Sequence, residues 1–204
     1  SWETGLDARE ILNSCKVSEK NGKVAVIGSG PAGLACAATL ARSGVAVTVF
    51  EAKKKAGGVL RYGVPSFRLP GEFLDRELED LHHLGISFKF STPVKGKKEI
   101  DQLFSSGFKA VFVGTGLWQA AKLSDKPQPV GVYSSIEFLE DFRSTTKSKA
   151  ASRVKQKIVG VIGGGSVAID CARVALKLGA SDVYLIYRRS FAQMPAEPDE
   201  KIEA

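Results

Sequence analysis

Hydrophobic residues run along this chain in two alternating rhythms. Short, nearly unbroken apolar runs occupy Lys23 to Ile27, a run that ends at Glu51, Ile86 to Phe90, Ala110 to Val113, Lys157 to Ile162 and Val183 to Tyr187. Between them lie stretches whose apolar positions recur every three or four residues. The clearest is Gly71 to Leu84, with Phe73, Leu74, Leu78 and Leu81 on one helical stripe. Unbroken runs of this length predict strands covered on both faces, and the stripes predict helices packed on them. Further helices are expected over Leu6 to Cys15, from Gly33 to Ser43-Gly44, over Glu99 to Phe104, over Ile136 to Phe142 and up to Leu178. Arg61 to Pro70 is too rich in Pro and Gly for a regular element, and Ser144 to Arg153 reads as a basic, polar linker. Ala110 to Val113 is expected to be a buried strand that runs straight into Gly114-Thr115-Gly116. Strands alternating with helices define an α/β chain built on parallel sheet.

The joint between the first strand and the first helix is Gly28-Ser29-Gly30-Pro31-Ala32-Gly33. Gly28 permits the tight turn, Gly30 leaves the backbone open to a diphosphate, and Gly33 lets helix and strand approach closely. Pro31 suits the first helical turn, where its missing N–H costs nothing. The free amides and the positive end of the helix dipole then favour an anion. Glu51 lies 18 residues beyond Gly33, at the end of the next strand, where it can accept hydrogen bonds from both hydroxyls of a ribose. Strand, glycine turn, helix, strand and acid together predict a dinucleotide site that includes Pro31, Ala32 and Ala52. Gly57-Gly58 and Leu60 follow the acid, and a cofactor contact is expected there; Thr115-Gly116 marks a strand end on the ligand edge of the sheet.

The unit then recurs. Gly163-Gly164-Gly165-Ser166-Val167-Ala168 repeats the glycine turn, and 163 minus 28, 179 minus 44 and 171 minus 36 all give 135 for the glycines and the paired cysteines. In this copy Ala168 stands for the third glycine, so helix and strand are expected to sit slightly farther apart. Its second strand ends in Arg188-Arg189 where the first copy has Glu51. A carboxylate repels a 2′-phosphate and guanidinium groups bind one, which assigns the second site to NADP(H) rather than NAD(H). Two dinucleotide sites of opposite charge suggest hydride transfer from a nicotinamide to a resident flavin, a reaction that requires no catalytic side chain.

Composition narrows the alternatives. With 44% hydrophobic and 25% charged residues the chain can bury a real core. The net charge of +7 comes from lysine clusters at Lys53-Lys54-Lys55, Lys95 to Lys98 and Lys147 to Lys157. Neither a recognition-helix pattern nor aromatic residues interleaved with basic ones accompany them, so no nucleic-acid partner is expected. No apolar run is long enough for a bilayer and no secretory pattern opens the chain, which points to the cytoplasm and to no membrane partner. Cys15, Cys36 and Cys171 form no CxxC pair, and His82-His83 lack further ligands at suitable spacing, so no metal site is expected. The absent CxxC weighs against a flavin disulfide reductase. A non-catalytic nucleotide-binding module is the other alternative.

These motifs resemble the flavoprotein family of the glutamate synthase small subunit, which includes the FAD/NADPH half of dihydropyrimidine dehydrogenase and related ferredoxin–NADP oxidoreductase subunits. The resemblance runs from about Lys23 to Glu197 and rests on VAVIGSGPAGLACA, GGVLRYGVPSFRLP, AVFVGTG, GVYSSIEFL, VIGGGSVAIDCAR and YRRSFAQMPAE. It implies two Rossmann-like dinucleotide-binding units in a glutathione-reductase-like arrangement, FAD first and NADP second. By the same resemblance Gly57, Gly58, Leu60 and Arg68 contact FAD, Gly164 to Val167 hold the NADP pyrophosphate, and Arg188 and Arg189 hold the 2′-phosphate. Electrons from NADPH would pass through FAD to an Fe–S domain or subunit, or to ferredoxin. The chain departs from the family in lacking the upstream cluster-binding cysteines and a final segment that completes the FAD site. With Ser1 as its first residue and Met194 as its only methionine, it reads as a piece of a longer polypeptide, expected to be inactive by itself. The expected division is a lead-in at 1–22, an FAD-binding domain at 23–125, a connector at 126–153 and an NADP-binding domain at 154–204.

Overall fold

A computed structural model describes residues 18–120, 129–144 and 147–203. The helix expected over Leu6 to Cys15 lies outside the described residues. The chain divides into two compact units, Ser1–Arg61 with Leu69–Gly116, and Tyr62–Arg68 with Leu117–Ala204.

The first unit contains β1 (Ser18–Ile27), α1 (Pro31–Arg42), β2 (Val45–Phe50), α2 (Gly58–Tyr62), α3 (Gly71–His83), β3 (Ser87–Lys89), α4 (Lys97–Ser105) and β4 (Ala110–Val113). Its four strands form one parallel sheet in the order β3-β2-β1-β4, with Ile27 opposite both Phe50 and Val113. Alternation along β1 sends side chains to both faces. Val26 packs with Ala37 and Ala41 of α1, Val47 and Val49 of β2, and Leu84 and Ile86. Ala25 and Ile27 pack on the other face with Phe50, Leu103 and Phe108. Full burial of a side chain such as Val26 or Val49 stabilises the fold by about 1.5–3 kcal/mol. Helix α1 lies close to the sheet because its buried stripe is Gly33, Ala37 and Ala41, residues with little or no side chain.

Two expectations for this unit are corrected. Strand β4 is a sheet edge, with Ala110, Phe112 and Val113 exposed, because β1 is its only neighbour among the described strands. A short helix, α2, follows Gly57 and takes in Arg61 and Tyr62, at the start of the segment expected to hold no regular element. The Arg61 side chain anchors its end, donating from Nε to the Ala56 carbonyl at 2.5 Å and pairing through Nη2 with Asp75 at 2.5 Å. His82 lies 4.9 Å from the Phe88 ring.

The second unit contains α5 (Ser135–Arg143), α6 (Lys147–Val154), β5 (Ile158–Ile162), α7 (Ser166–Lys177), β6 (Asp182–Ile186), a 3-10 turn at Phe191–Gln193 and α8 (Pro198–Glu203). β5 and β6 are parallel, with Ile162 opposite Ile186. Phe138, Leu139, Phe142, Ala150, Val154, Cys171, Val174 and Ala175 form its core. The stretch expected to be a polar linker therefore includes helix α6. Ala150 and Val154 are buried, and Arg153 pairs with Glu137 and Asp141 of α5 at 2.6 and 3.0 Å. Those contacts outweigh the mean polarity of the lysine-rich segment, since an amphipathic face decides a short helix more than composition does. Among the described residues no helix is long and apolar enough to cross a membrane.

Candidate nucleotide-binding loops

In the first unit the chain folds three glycine segments against one another. Gly28 has φ +97°, and a Cβ there would lie 2.4 Å from the Gly114 carbonyl oxygen. A Cβ at Gly33 would lie 1.9 Å from the Gly28 carbonyl oxygen, so helix and strand touch through this position. Gly58, at φ +52°, would drive a Cβ to 2.6 Å from the Gly30 Cα. The Gly57 amide donates to the Ser29 carbonyl at 2.9 Å, and the Gly114 amide to the Ile27 carbonyl at 2.8 Å. Thr115 and Gly116 follow, exposed, at the end of β4, while Pro31 and Ala32 are exposed on the first turn of α1. Leu60 is half-buried on α2 and Ala52 is exposed beside Glu51.

Gly30 differs from its neighbours. A Cβ there would meet only the Gly58 Cα, at an ordinary 3.9 Å, and its φ of −74° suits any residue. Packing within the chain does not demand glycine at position 30. The loop is open on the side where the first amides of α1 carry no side-chain cap. An anion fits there.

The Glu51 carboxylate is 7% exposed and already engaged. Oε2 accepts from the Ser29 amide at 3.0 Å and from the Ser29 hydroxyl, and Oε1 accepts from the Lys53 amide at 2.7 Å. A carboxylate offers about four lone-pair sites. One remains for a ribose hydroxyl, and a second hydroxyl would take the place of Ser29's. Ser29, fully buried, holds the Glu51 carboxylate in place, a contact that its position between two glycines did not by itself reveal.

The second unit repeats this pattern with a one-residue difference. The Gly28 amide donates to the Phe50 carbonyl at 2.8 Å, and the Gly163 amide to the Ile186 carbonyl at 2.9 Å. Phe50 thus corresponds to Ile186, an offset of 136 rather than 135 (186 minus 50), so the counterpart of Glu51 is Tyr187 and not Arg188. The second copy has one more residue between its helix and its second strand. The Tyr187 ring lies against Gly164, where a Cβ would come within 2.7 Å of it, and the Tyr187 hydroxyl donates to the Gln193 carbonyl at 3.2 Å. Arg188 and Arg189 come next, both exposed, and no ion pair engages either among the described residues. Gly165, like Gly30, is open. A Cβ there would meet only Pro195, at 3.8 Å, and the N-terminus of α7 has no side-chain cap. Ser166 is half-buried and Val167 exposed on that first turn. Ala168 takes the third glycine's place with its Cβ 3.1 Å from the position a Gly163 Cβ would occupy, consistent with looser packing than at Gly33.

Arg68 also belongs to the second unit. Its Nε donates to Asp170 Oδ1 on α7 and its Nη1 to Glu200 Oε1 on α8. Burial pushes the Asp170 carboxyl up, whereas the Ser166 hydroxyl and then Arg68 hold the Glu200 carboxyl down. Neither carboxylate announces itself in the sequence. Burial also pushes the Cys171 thiol up to about 12, so it stays protonated at neutral pH and is no nucleophile.

A family model described as pyridine nucleotide-disulphide oxidoreductase matches residues 22–204. The chain belongs to that family. It is 43% identical over 182 residues to the beta subunit of the NADP+-dependent formate dehydrogenase of Moorella thermoacetica, covering 89% of this chain and 26% of the relative. It is 37% identical over 192 residues to the glutamate synthase [NADPH] small chain of Escherichia coli K12, covering 90% and 40% respectively. The chain therefore spans less than half the length of these relatives. Among solved structures, FprA of Mycobacterium tuberculosis, described in complex with NADPH, superposes with a TM-score of 0.72 over 87% of this chain and 46% of FprA at 20% identity, a likeness of fold.

Proposed function

We propose that this chain is the nucleotide-binding part of an FAD-dependent NADPH oxidoreductase, an electron-entry module that passes electrons onward to an Fe–S domain or subunit. The observation that carries this reading is the pairing of two open glycine loops with opposite charge at the adjacent strand end. One has a buried carboxylate, Glu51, and the other has two exposed guanidinium groups, Arg188 and Arg189. Relatives named for NADPH, including the NADPH-Fe(3+) oxidoreductase beta subunit of Geobacter sulfurreducens, 35% identical over 181 residues, support the same assignment.

In the first unit Gly28, Gly30, Pro31, Ala32 and Gly33 would hold the FAD diphosphate against the α1 N-terminus. Glu51 would accept a ribose hydroxyl and exclude a 2′-phosphate, with Ala52, Gly57, Gly58, Leu60, Thr115 and Gly116 around the rest of the molecule. In the second unit Gly163 to Val167 would hold the NADPH diphosphate and Arg188 and Arg189 its 2′-phosphate. Bound FAD supplies the redox chemistry, accepting a hydride and releasing electrons singly. The residues of this chain bind and orient both nucleotides, and none is needed to move a proton. A disulfide-reducing role lacks support, because Cys36 and Cys171 lie in separate units and the sequence has no CxxC.

The full-length protein that carries this chain is expected to purify with a flavin spectrum that anaerobic NADPH bleaches and that NADH bleaches far more slowly. A colourless protein, or a flavin that neither nucleotide reduces, would contradict the reading.

A further inference from the structure

Arg68, Asp170 and Glu200 come from three segments far apart in sequence and meet inside the second unit. Asp170 is buried on α7, roughly 6 Å along the helix axis from Ser166 at 1.5 Å per residue. Glu200 lies beside the same helix start, within reach of the Ser166 hydroxyl. The Phe67 ring, next to Arg68, is covered by Arg173 and Lys177, each 4.6 Å from its centroid, which fixes the backbone that delivers Arg68. The third guanidinium nitrogen of Arg68, Nη2, is buried without a hydrogen-bond partner among the described residues.

A buried ion cluster of this kind is a poor source of stability, since desolvation consumes most of the Coulomb gain. Its place in the fold suggests a different use. Two carboxylates next to the α7 N-terminus compete with any anion for the positive end of that helix. Arg68, Asp170 and Glu200 together carry a net charge of −1 and, without Arg68, −2, with Arg173 the other guanidinium that acts on Asp170. A diphosphate on Gly164 to Val167 would then approach two unbalanced negative charges within a Debye length, about 8 Å at physiological salt.

We propose that Arg68 is a positioning residue for the second nucleotide, balancing Asp170 and Glu200 so that a diphosphate can dock on the start of α7. This rests on the reading of that loop as the NADPH site. The role differs from the FAD contact that family resemblance implies for Arg68, and the two predict different losses.

The test measures NADPH dissociation constants and retained FAD in the purified protein and in Arg68→Gln, Arg68→Lys, Glu200→Gln and the double variant Arg68→Gln/Glu200→Gln, with thermal midpoints alongside. Arg68→Gln is expected to weaken NADPH about tenfold, the scale of one unscreened charge at this range, with FAD content unchanged. Arg68→Lys keeps most of the affinity. The double variant, back at −1, recovers it, and Glu200→Gln alone binds NADPH more tightly than the unmodified protein. A merely structural cluster would also be relieved in the double variant, but its losses and recoveries of affinity would track the thermal midpoints, and Glu200→Gln alone, which unpairs one arm of Arg68, would not tighten NADPH. The inference is overturned if the double variant binds no better than Arg68→Gln, if NADPH affinity is unchanged throughout, or if Arg68→Gln sheds FAD while NADPH binding holds. Failure of the unmodified protein to bind NADPH would instead overturn the functional reading beneath it.

Discussion

Reversing the charge at Arg188 (Arg188→Glu) is expected to weaken NADPH binding about a hundredfold, equivalent to roughly 2.7 kcal/mol. NADH binding should hardly change. A hydrogen bond between an ionised donor and a phosphate contributes about 1.5–3 kcal/mol, and the introduced carboxylate adds repulsion against the 2′-phosphate. The effect should be confined to that phosphate because the Arg188 side chain is exposed and holds no other element in place. The register of β6 sharpens the point. Tyr187, a neutral residue, occupies the position of Glu51, so nothing there repels a phosphate, and Arg188 follows immediately. Titrating both nucleotides against Arg188→Glu checks this; equal losses for NADPH and NADH would remove the phosphate contact.

The second large effect is on stability. Gly33→Ala should destabilise the first unit by ~3 kcal/mol or more, the range of a core overlap that backbone must relieve. The added Cβ would lie 1.9 Å from the Gly28 carbonyl oxygen, with Val26 Cγ1 another 3.3 Å away, and no flexible side chain can yield to make room. The corresponding position of the second unit already carries a methyl group, Ala168, which shows that the two joints are built to different separations. Urea unfolding followed by circular dichroism measures the loss directly. A midpoint unchanged by Gly33→Ala would contradict the close approach of α1 to β1.

Elements with strong periodicity were legible from the sequence. Helix α3 and the buried run of β2 appear where the pattern puts them, but Phe73 of the α3 stripe is exposed, β5 leaves Ile158 and Ile162 exposed where both faces were expected to be covered, and β1 begins at Ser18, ahead of its apolar run. The failures have tertiary causes. An apolar run such as Ala110 to Val113 says that a strand forms there but not whether it has one neighbour or two. Helix α6 hides Ala150 and Val154 among lysines, and only its packing on α5 makes the face visible. At the candidate sites Gly28, Gly33, Gly58 and Gly164 each have a geometric reason within the chain, whereas Gly30 and Gly165 were readable only from their place in the motif. Asp170 and Glu200 were not readable, since a lone carboxylate at no particular spacing gains meaning only when Arg68 folds onto it. The match of Arg188 to Glu51 missed by one residue because the glycines fix the offset of the turn and helix, while the extra residue falls after them.

The central claim is that each glycine loop is open on one side for its own nucleotide, and one methyl group at each loop tests it. Gly30→Ala and Gly165→Ala introduce a Cβ whose nearest neighbours lie at 3.9 and 3.8 Å, so both proteins should fold with unchanged thermal midpoints. Measured side by side for bound FAD and for NADPH affinity, Gly30→Ala is expected to lose FAD and Gly165→Ala to lose NADPH. Loss of the same nucleotide in both variants, or of neither in either, would contradict the account.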